Sequence, residues 1–296
     1  MPEGDTIYRA AQSLHRVLSG HLVTRFESAY AHLDRVNVDT PVVGRIVEKC
    51  HSAGKHLLIV FSGDLVLRTH MRMNGSWHLY RHGERWWRGE HAMRVRIDTA
   101  NWVAVAFNVP VAEFVTPQQL AKRDPVAGLG PDLLGDTFDR AEAIRRIVAS
   151  GHRAIAPTLL DQRIVAGIGN VYKSEVLFMV GVHPDTPSSA VPAPTLERMM
   201  DIARGVLKDN VVHGSSPRIQ TYRNLRQRNP ASEHDESLWV YGRRGKPCRK
   251  CGTPIEMKKT GLEARSTYWC PNCQPLSLVP GTSHKSSSVP GTTDDQ

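Results

Sequence analysis

Pro2 and Glu3 stand directly after Met1, and together they join a nucleophile to a proton carrier. Removal of Met1 before the small Pro2 exposes a secondary α-amine, whose ordinary pKa of about 7.7–8.0 leaves much of it neutral at cellular pH. Such an amine attacks a sugar aldehyde carbon to form a Schiff base. A helix starting near Asp5, with Asp5 as its N-cap, sets a positive dipole end nearby and disfavours protonation of Pro2. Glu3 is placed to pass protons between the sugar ring oxygen, a departing base and water.

The second constellation is Cys248-Arg-Lys-Cys251 followed by Cys270-Pro-Asn-Cys273. Two close pairs at this separation suit four thiolates around one tetrahedral zinc ion. A four-cysteine site leaves no open position for a substrate, so the expected Zn2+ supports folding and not chemistry. Between the pairs, Thr253–Trp269 suits a β-hairpin with a basic tip carrying Lys258, Lys259 and Arg265, placed to lie against a phosphate backbone or to form a solvated turn. Cys50, the odd cysteine, reads as a buried strand residue.

A third signal is Ala166-Gly-Ile-Gly-Asn-Val-Tyr-Lys173. Asn170 reads as an N-cap, and the free N–H groups of the following helix make an anion site able to hold a phosphate. The same glycine pattern also makes an ordinary tight turn. Arg85-Trp-Trp-Arg88 suits stacking on bases or packing on the domain surface, and carries no assigned role. His51, His56, His70, His78 and His91 read as scattered strand residues without metal-ligand spacing.

The elements that must position these groups follow from periodicity. Ile7, Ala10, Ala11, Leu14, Val17 and Leu18 recur at helical spacing. From 21 to 108, short β-branched and aromatic runs (22–26, 42–47, 56–61, 65–67, 76–80, 93–97, 102–107) alternate with turn signals, as in a β-sandwich or barrel. Pro and Gly crowd 116–138, a linker. Helical patterns then follow at 139–149, 157–163, 170–180 and 194–208, and the Ser-, Thr- and Pro-rich segment 276–296 reads as a disordered tail. The class is therefore α+β and multidomain.

The 296 residues carry 38 Lys plus Arg against 29 Asp plus Glu, a formal charge of +9 that favours a polyanionic partner. Hydrophobic residues at 40% mark a folding chain. No apolar run approaches the roughly 18 residues of a membrane span, and MPEGDT does not resemble a signal peptide, so the cytoplasm and no membrane contact are expected.

Four separated segments resemble the Fpg/Nei (formamidopyrimidine-DNA glycosylase/endonuclease VIII) family: the MPEG start, Gly54-Lys55-His56-Leu57-Leu58, Ala166–Asn170, and Arg265-Ser-Thr-Tyr-Trp-Cys-Pro-Asn-Cys-Gln274. The resemblance implies a bifunctional DNA glycosylase/AP lyase, monomeric, acting on damaged DNA in base excision repair and nucleoid-associated when on DNA. It further implies a catalytic β-sandwich at 2–115, a helix–two-turn–helix DNA-binding domain at 139–245 and a zinc finger at 246–275. Position by position, Pro2 resembles the Schiff-base nucleophile and Glu3 the acid/base. Lys55 matches a lysine of β-elimination and phosphate binding. Asn170 and Arg265 match a phosphate clamp, Arg265 also matching the δ-elimination position. Arg72 and Met73 lie in a loop like the one that enters the helix once the damaged base is flipped out.

The sequence departs from the family pattern at Asp5-Thr6, where many relatives have Pro-Glu, and at Ala104–Glu113, which lacks the Arg-Arg-Phe-Gly segment of the oxoguanine-type members. The second departure points to the endonuclease VIII branch and oxidised pyrimidines. The alternatives are an 8-oxoguanine/formamidopyrimidine-preferring enzyme and a silent damaged-DNA binder.

Overall fold

The computed structural model describes residues 2–122, 126–212, 219–222, 237–260 and 264–276. Beyond Leu276 the expected disordered tail lies outside the described residues.

Helix α1 (Gly4–Leu18) buries Ile7, Ala11, Leu14 and Leu18 on one stripe. After it come β1 (Arg25–Ser28), α2 (Ala31–Asp39), β2 (Val47–Ala53), β3 (His56–Phe61), β4 (Leu65–His70), β5 (Ser76–Tyr80), β6 (Met93–Asp98), β7 (Val103–Phe107) and β8 (Val111–Val115). These strands form two antiparallel sheets, ordered β2-β3-β4-β8 and β1-β6-β7-β5. The stripe of α1 joins Leu57, Ile59, Phe61, Leu67, Ile97, Ala104 and Ala106 in the main core. Alternate residues of the same strands meet other partners. Leu58 packs with Val66, Val115 and Leu120, while Val103, Val105 and Phe107 pack under Tyr80, Ala92 and Trp86. Both faces of β3 and β7 are thus covered, which accounts for their nearly continuous apolar runs.

Several local expectations change: the run 22–26 becomes β1 only from Arg25, and β8 was not among the expected runs. The run 42–47 is a turn through Gly44 at φ +88 and not a strand, with Leu22 and Ile46 forming only an isolated bridge. The strand that follows, β2, is a sheet edge, and it tolerates Glu48 and Lys49 outside. Helix α2 was not foreseen, since it buries only Leu33 and shows no stripe. Within the expected linker lies α3 (Pro117–Lys122), started by a reciprocal cap. The Gln119 amide donates to Thr116 Oγ1 at 3.1 Å, and the Gln119 side-chain oxygen accepts from the Thr116 amide at 3.0 Å.

The second half holds α4 (Arg140–Ala149), α5 (Ile155–Leu160), α6 (Asn170–Val180) and α7 (Ala193–Val212). Asp139 caps α4 through the Glu142 amide at 2.9 Å. Every residue of α6 from Asn170 to Phe178 is buried, so this helix is the axis of the domain. The hairpin of β9 (Glu256–Thr260) and β10 (Arg265–Trp269) closes the fold against it. No helix among the described residues is long and apolar enough to cross a membrane.

Candidate active site

The N-terminus is pinned between the two halves. The Gly4 amide donates to the Gly167 carbonyl at 3.1 Å, and a β-carbon on Gly4 would come within 2.8 Å of that oxygen. Glu3, and not Asp5, holds the N-cap position of α1. Asp5 is instead buried inside the first turn, 3.6 Å from Arg9.

Glu3 is 1% exposed and is a ligand of helix α6. Its carboxylate accepts from the Val171 amide at 2.8 Å and the Tyr172 amide at 3.3 Å. The anion site read from the glycine-flanked helix start therefore exists, but its occupant is Glu3, so those two amides are not available to a phosphate. Burial raises the Glu3 pKa, opposed by the Lys55 charge and the two amides. A β-carbon on Gly169 would overlap the Glu3 carboxyl, which explains glycine there without any appeal to φ.

Asn170 is the first residue of α6 and not its cap, Gly169 holding that place. The Asn170 side chain instead accepts from Lys173 Nζ at 2.8 Å and donates to the Tyr241 hydroxyl at 3.4 Å. Lys173 is fully buried and also donates to the Ser266 carbonyl at 3.0 Å and to Thr267 Oγ1 at 2.6 Å. This lysine fastens Asn170 to the strand that begins with Arg265. Burial lowers its pKa to about 7, with Arg265 pushing the same way and Glu3 opposing.

Lys55 occupies the turn between β2 and β3. The turn needs Gly54 at φ +56, and the Gly54 amide donates to Asp132 Oδ2 at 2.7 Å, docking it on the second half. In the loop after β4, Met71 is buried while Met73 is 60% exposed, which removes core packing as the role of Met73. Arg72 adopts φ +47, and its amide donates to His70 Nδ1 at 3.0 Å. His70 can accept because burial and the nearby cations hold its pKa down to about 4.

Pro2, Glu3, Lys55, Arg72, Met73, Asn170 and Arg265 all line one cavity of about 560 Å³. Its other walls were not read from the sequence: His56, Arg68, His70, Val111 and Leu160. Arg68 is held by Glu113 at 2.7 Å and by His56 Nδ1 at 3.0 Å. The His56 and His70 rings lie 4.9 Å apart, edge to face, so these two are not scattered. Burial drives the His56 pKa down to about 3. With both imidazoles neutral, Lys55, Arg68, Arg72 and Arg265 make a cationic lining around the single carboxylate of Glu3, a field suited to a phosphodiester.

The four sulfur atoms of Cys248, Cys251, Cys270 and Cys273 lie within 4.8 Å of one another, the one group among the described residues that could hold a metal. A tetrahedron with Zn–S near 2.3 Å requires sulfurs about 3.8 Å apart, and Cys248–Cys273 at 3.9 Å and Cys251–Cys270 at 3.5 Å fit it. The site is a structural zinc centre. The basic residues of its two strands do not all point one way. Lys258 turns back to pair with Asp185 and lies over Trp269, while Arg265 turns into the cavity. Cys50 is buried in β2, where burial pushes the thiol up to about 12.

Three family models match the chain: the formamidopyrimidine-DNA glycosylase N-terminal domain over residues 1–110, the formamidopyrimidine-DNA glycosylase H2TH domain over 129–221, and the zinc finger found in FPG and IleRS over 245–276. The chain is 38% identical over 280 residues to "Probable endonuclease 8 2" of Streptomyces coelicolor, covering 93% of this chain and 94% of that protein. It is 35% identical over 277 residues to the "DNA-(apurinic or apyrimidinic site) lyase Nei2" of Mycolicibacterium smegmatis, covering 94% and 100%. Among solved structures, Lactococcus lactis Fpg in complex with abasic-site DNA superposes with a TM-score of 0.76 at 23% identity, covering 93% of this chain and 100% of that one.

Proposed function

Because the chain belongs to the formamidopyrimidine-DNA glycosylase/endonuclease VIII family, it is a DNA glycosylase and AP lyase of base excision repair, and we propose that Pro2, freed by removal of Met1, is its nucleophile and oxidised pyrimidines its preferred lesions. The observation that carries the assignment is the convergence of Pro2, Glu3, Lys55, Asn170 and Arg265 from four distant segments on one cavity.

In this reading Lys55, Asn170 and Arg265 grip the phosphates flanking the lesion. Arg72 and Met73 enter the stack where the nucleotide has left it, an exposed side chain repaying part of the unstacking cost. The neutral Pro2 nitrogen attacks C1′, the bond to the base breaks, and the base departs with the proton that the alkylated Pro2 nitrogen gives up. Glu3, whose pKa burial raises, supplies a proton to the ring oxygen as the sugar opens. The nitrogen lone pair then completes the C1′ Schiff base. Loss of a C2′ proton expels the 3′ phosphate by β-elimination, and a second elimination, for which Arg265 is placed, expels the 5′ phosphate. Water releases Pro2.

The pyrimidine preference is supported by the absence of an Arg-Arg-Phe-Gly segment from 104–113 and by relatives named endonuclease 8. The protein acts on damaged DNA as a monomer in the cytoplasm, nucleoid-associated when bound. Borohydride trapping on oligonucleotides bearing thymine glycol, dihydrouracil, 8-oxoguanine or an abasic site tests the reading. Adduct on the pyrimidine lesions supports it, and adduct chiefly on 8-oxoguanine reverses the lesion assignment. Tight binding without adduct even at the abasic site leaves a silent binder.

A further inference from the structure

The loop from Arg81 to Ala92 joins β5 to β6 and folds over the outer face of the β1-β6-β7-β5 sheet. Trp86 does the packing there, edge-on to Phe107 at 5.7 Å. Trp87 does not. Its amide is fixed by the Tyr80 hydroxyl at 3.1 Å and its ring stands 5.5 Å from His78, yet it is 78% exposed. Around it lies a second cavity of about 490 Å³ that shares no lining residue with the first.

The charges of this cavity divide into two sets. Arg96 is held by Asp98 at 2.8 Å and Glu27 at 3.6 Å, and Arg81 lies over the Trp102 ring. Glu84 is occupied by the Arg81 amide at 2.8 Å. Arg85 and Arg88 line the cavity together with Glu90; the Arg88 guanidinium lies 5.9 Å from the centroid of the Trp87 ring, with its Nε buried and without a hydrogen-bond partner. The Arg88 guanidinium thus stands at one side of the Trp87 ring, Arg85 lines the same cavity, and the indole remains 78% exposed. β5 runs directly from the Arg72–Met73 loop to this one, a span of about 17 Å at roughly 3.3 Å per residue.

We propose that Arg85, Trp87 and Arg88 form a second DNA contact, which takes an unpaired stretch of strand outside the lesion cavity. Trp87 stacks on a base while Arg85 and Arg88 hold the neighbouring phosphates. A duplex hides the faces of its bases, and an acidic peptide would satisfy the arginines but leave the indole unused, so single-stranded DNA is the occupant that uses all three groups. The proposal rests on the reading of the protein as a DNA enzyme and extends it to a second surface.

The test is binding of the full-length protein, by fluorescence anisotropy, to a short blunt duplex carrying a tetrahydrofuran abasic analogue and to the same duplex with an oligothymidylate overhang. The overhang is expected to tighten binding by about fivefold to a hundredfold, the range of one stacked base. Trp87→Ala and the double variant Arg85→Ala/Arg88→Ala lose that gain, and Trp87→Phe keeps most of it. The double variant also lowers the salt dependence of overhang binding by about 1.4 in log–log slope, two single-strand phosphates at roughly 0.7 each. Borohydride trapping on a blunt abasic duplex, unchanged in all three variants, reports intact folding. Absence of trapping in the wild-type protein would sink the lyase reading alone. An overhang gain that is absent from the wild type, or that survives in both alanine variants, overturns the second contact, as does competition by polyglutamate and not by free oligothymidylate.

Discussion

Glu3 accepts a hydrogen bond from the Val171 amide at 2.8 Å, across 168 residues of sequence. The proposed acid/base is thereby also the carboxylate that satisfies the start of α6, so the contact that positions it also bears on its protonation. Gln at this position keeps one acceptor of the two and cannot ionise. Glu3→Gln is expected to slow base release by about a hundredfold or more, read by single-turnover excision of dihydrouracil. The same change has a signed effect on stability. A carboxyl whose folded pKa is raised favours folding fully below its unfolded pKa, and that contribution is lost as pH rises through the folded value. Thermal unfolding of Glu3→Gln should therefore gain on wild type as pH rises, and converge with it in acid. A difference that is flat with pH would contradict the buried, reluctant charge.

Gly169→Ala tests the same contact from the other side. Its φ of −113 suits alanine, so the cost arises from the β-carbon that would displace the Glu3 carboxyl. Excision should fall by about a hundredfold, whereas Gly205→Ala, with open space around the new carbon, leaves the rate unaltered and slightly stabilises α7. Equal rates for the two variants would refute the steric account.

Lys173 links Asn170, proposed to grip a phosphate, to the strand that carries Arg265. Glu3 and Arg265 are the charged groups that act on it. With its pKa lowered to about 7, the folded state releases this proton before the unfolded chain does, so its contribution to stability is lost as pH falls through 7 and recovers toward the ordinary lysine value. Lys173→Met should weaken binding of abasic-analogue DNA by about tenfold, the loss of a charge-assisted hydrogen bond, and flatten the change in affinity between pH 6 and 8. Anisotropy titrations across that interval check both, and an unaltered pH profile would remove Lys173 from the clamp.

Chelation should disable the lyase without touching Pro2. The zinc ion holds the turn that ends β10, and Arg265 begins that strand. Stripping the metal, or Cys270→Ser, is expected to release the hairpin and abolish trapping on abasic DNA, with recovery on adding zinc to the stripped protein. Metal analysis should find one zinc per chain, and full trapping by zinc-free protein would detach the hairpin from the site.

Met73→Ala is expected to lower excision from duplex DNA by about tenfold, since an exposed wedge offsets part of an unstacking cost of a few kcal/mol. It should leave trapping at a pre-formed abasic site in single-stranded DNA unaffected, where nothing has to be unstacked. Equal losses on both substrates would move Met73 out of the wedge role.

Much of the site was legible because each contributing segment is short and locally distinctive: the proline at position 2, the lysine in a glycine turn, the paired cysteines. The occupant of the α6 amides was not legible, since a reading of residues 166–173 sees four free N–H groups and has no view of a carboxylate 168 residues away. Lys173 escaped for a related reason. A lysine one turn into a helix is normally solvated, and only the arrival of Ser266 and Thr267 makes burial tolerable. Helix α2, with Leu33 as its one buried residue, gave periodicity nothing to register, whereas the Thr116–Gln119 cap in the supposed linker could have been read from its spacing alone.

The bond from Gly4 to Gly167 also fixes an order of events during synthesis. A nascent chain that has released only its first half has the strands of the sandwich and Pro2 but no α6 to seat Glu3 and no β10 to present Arg265. The cavity has its full lining only once β10 has left the ribosome, Arg265 being the last of its residues to emerge.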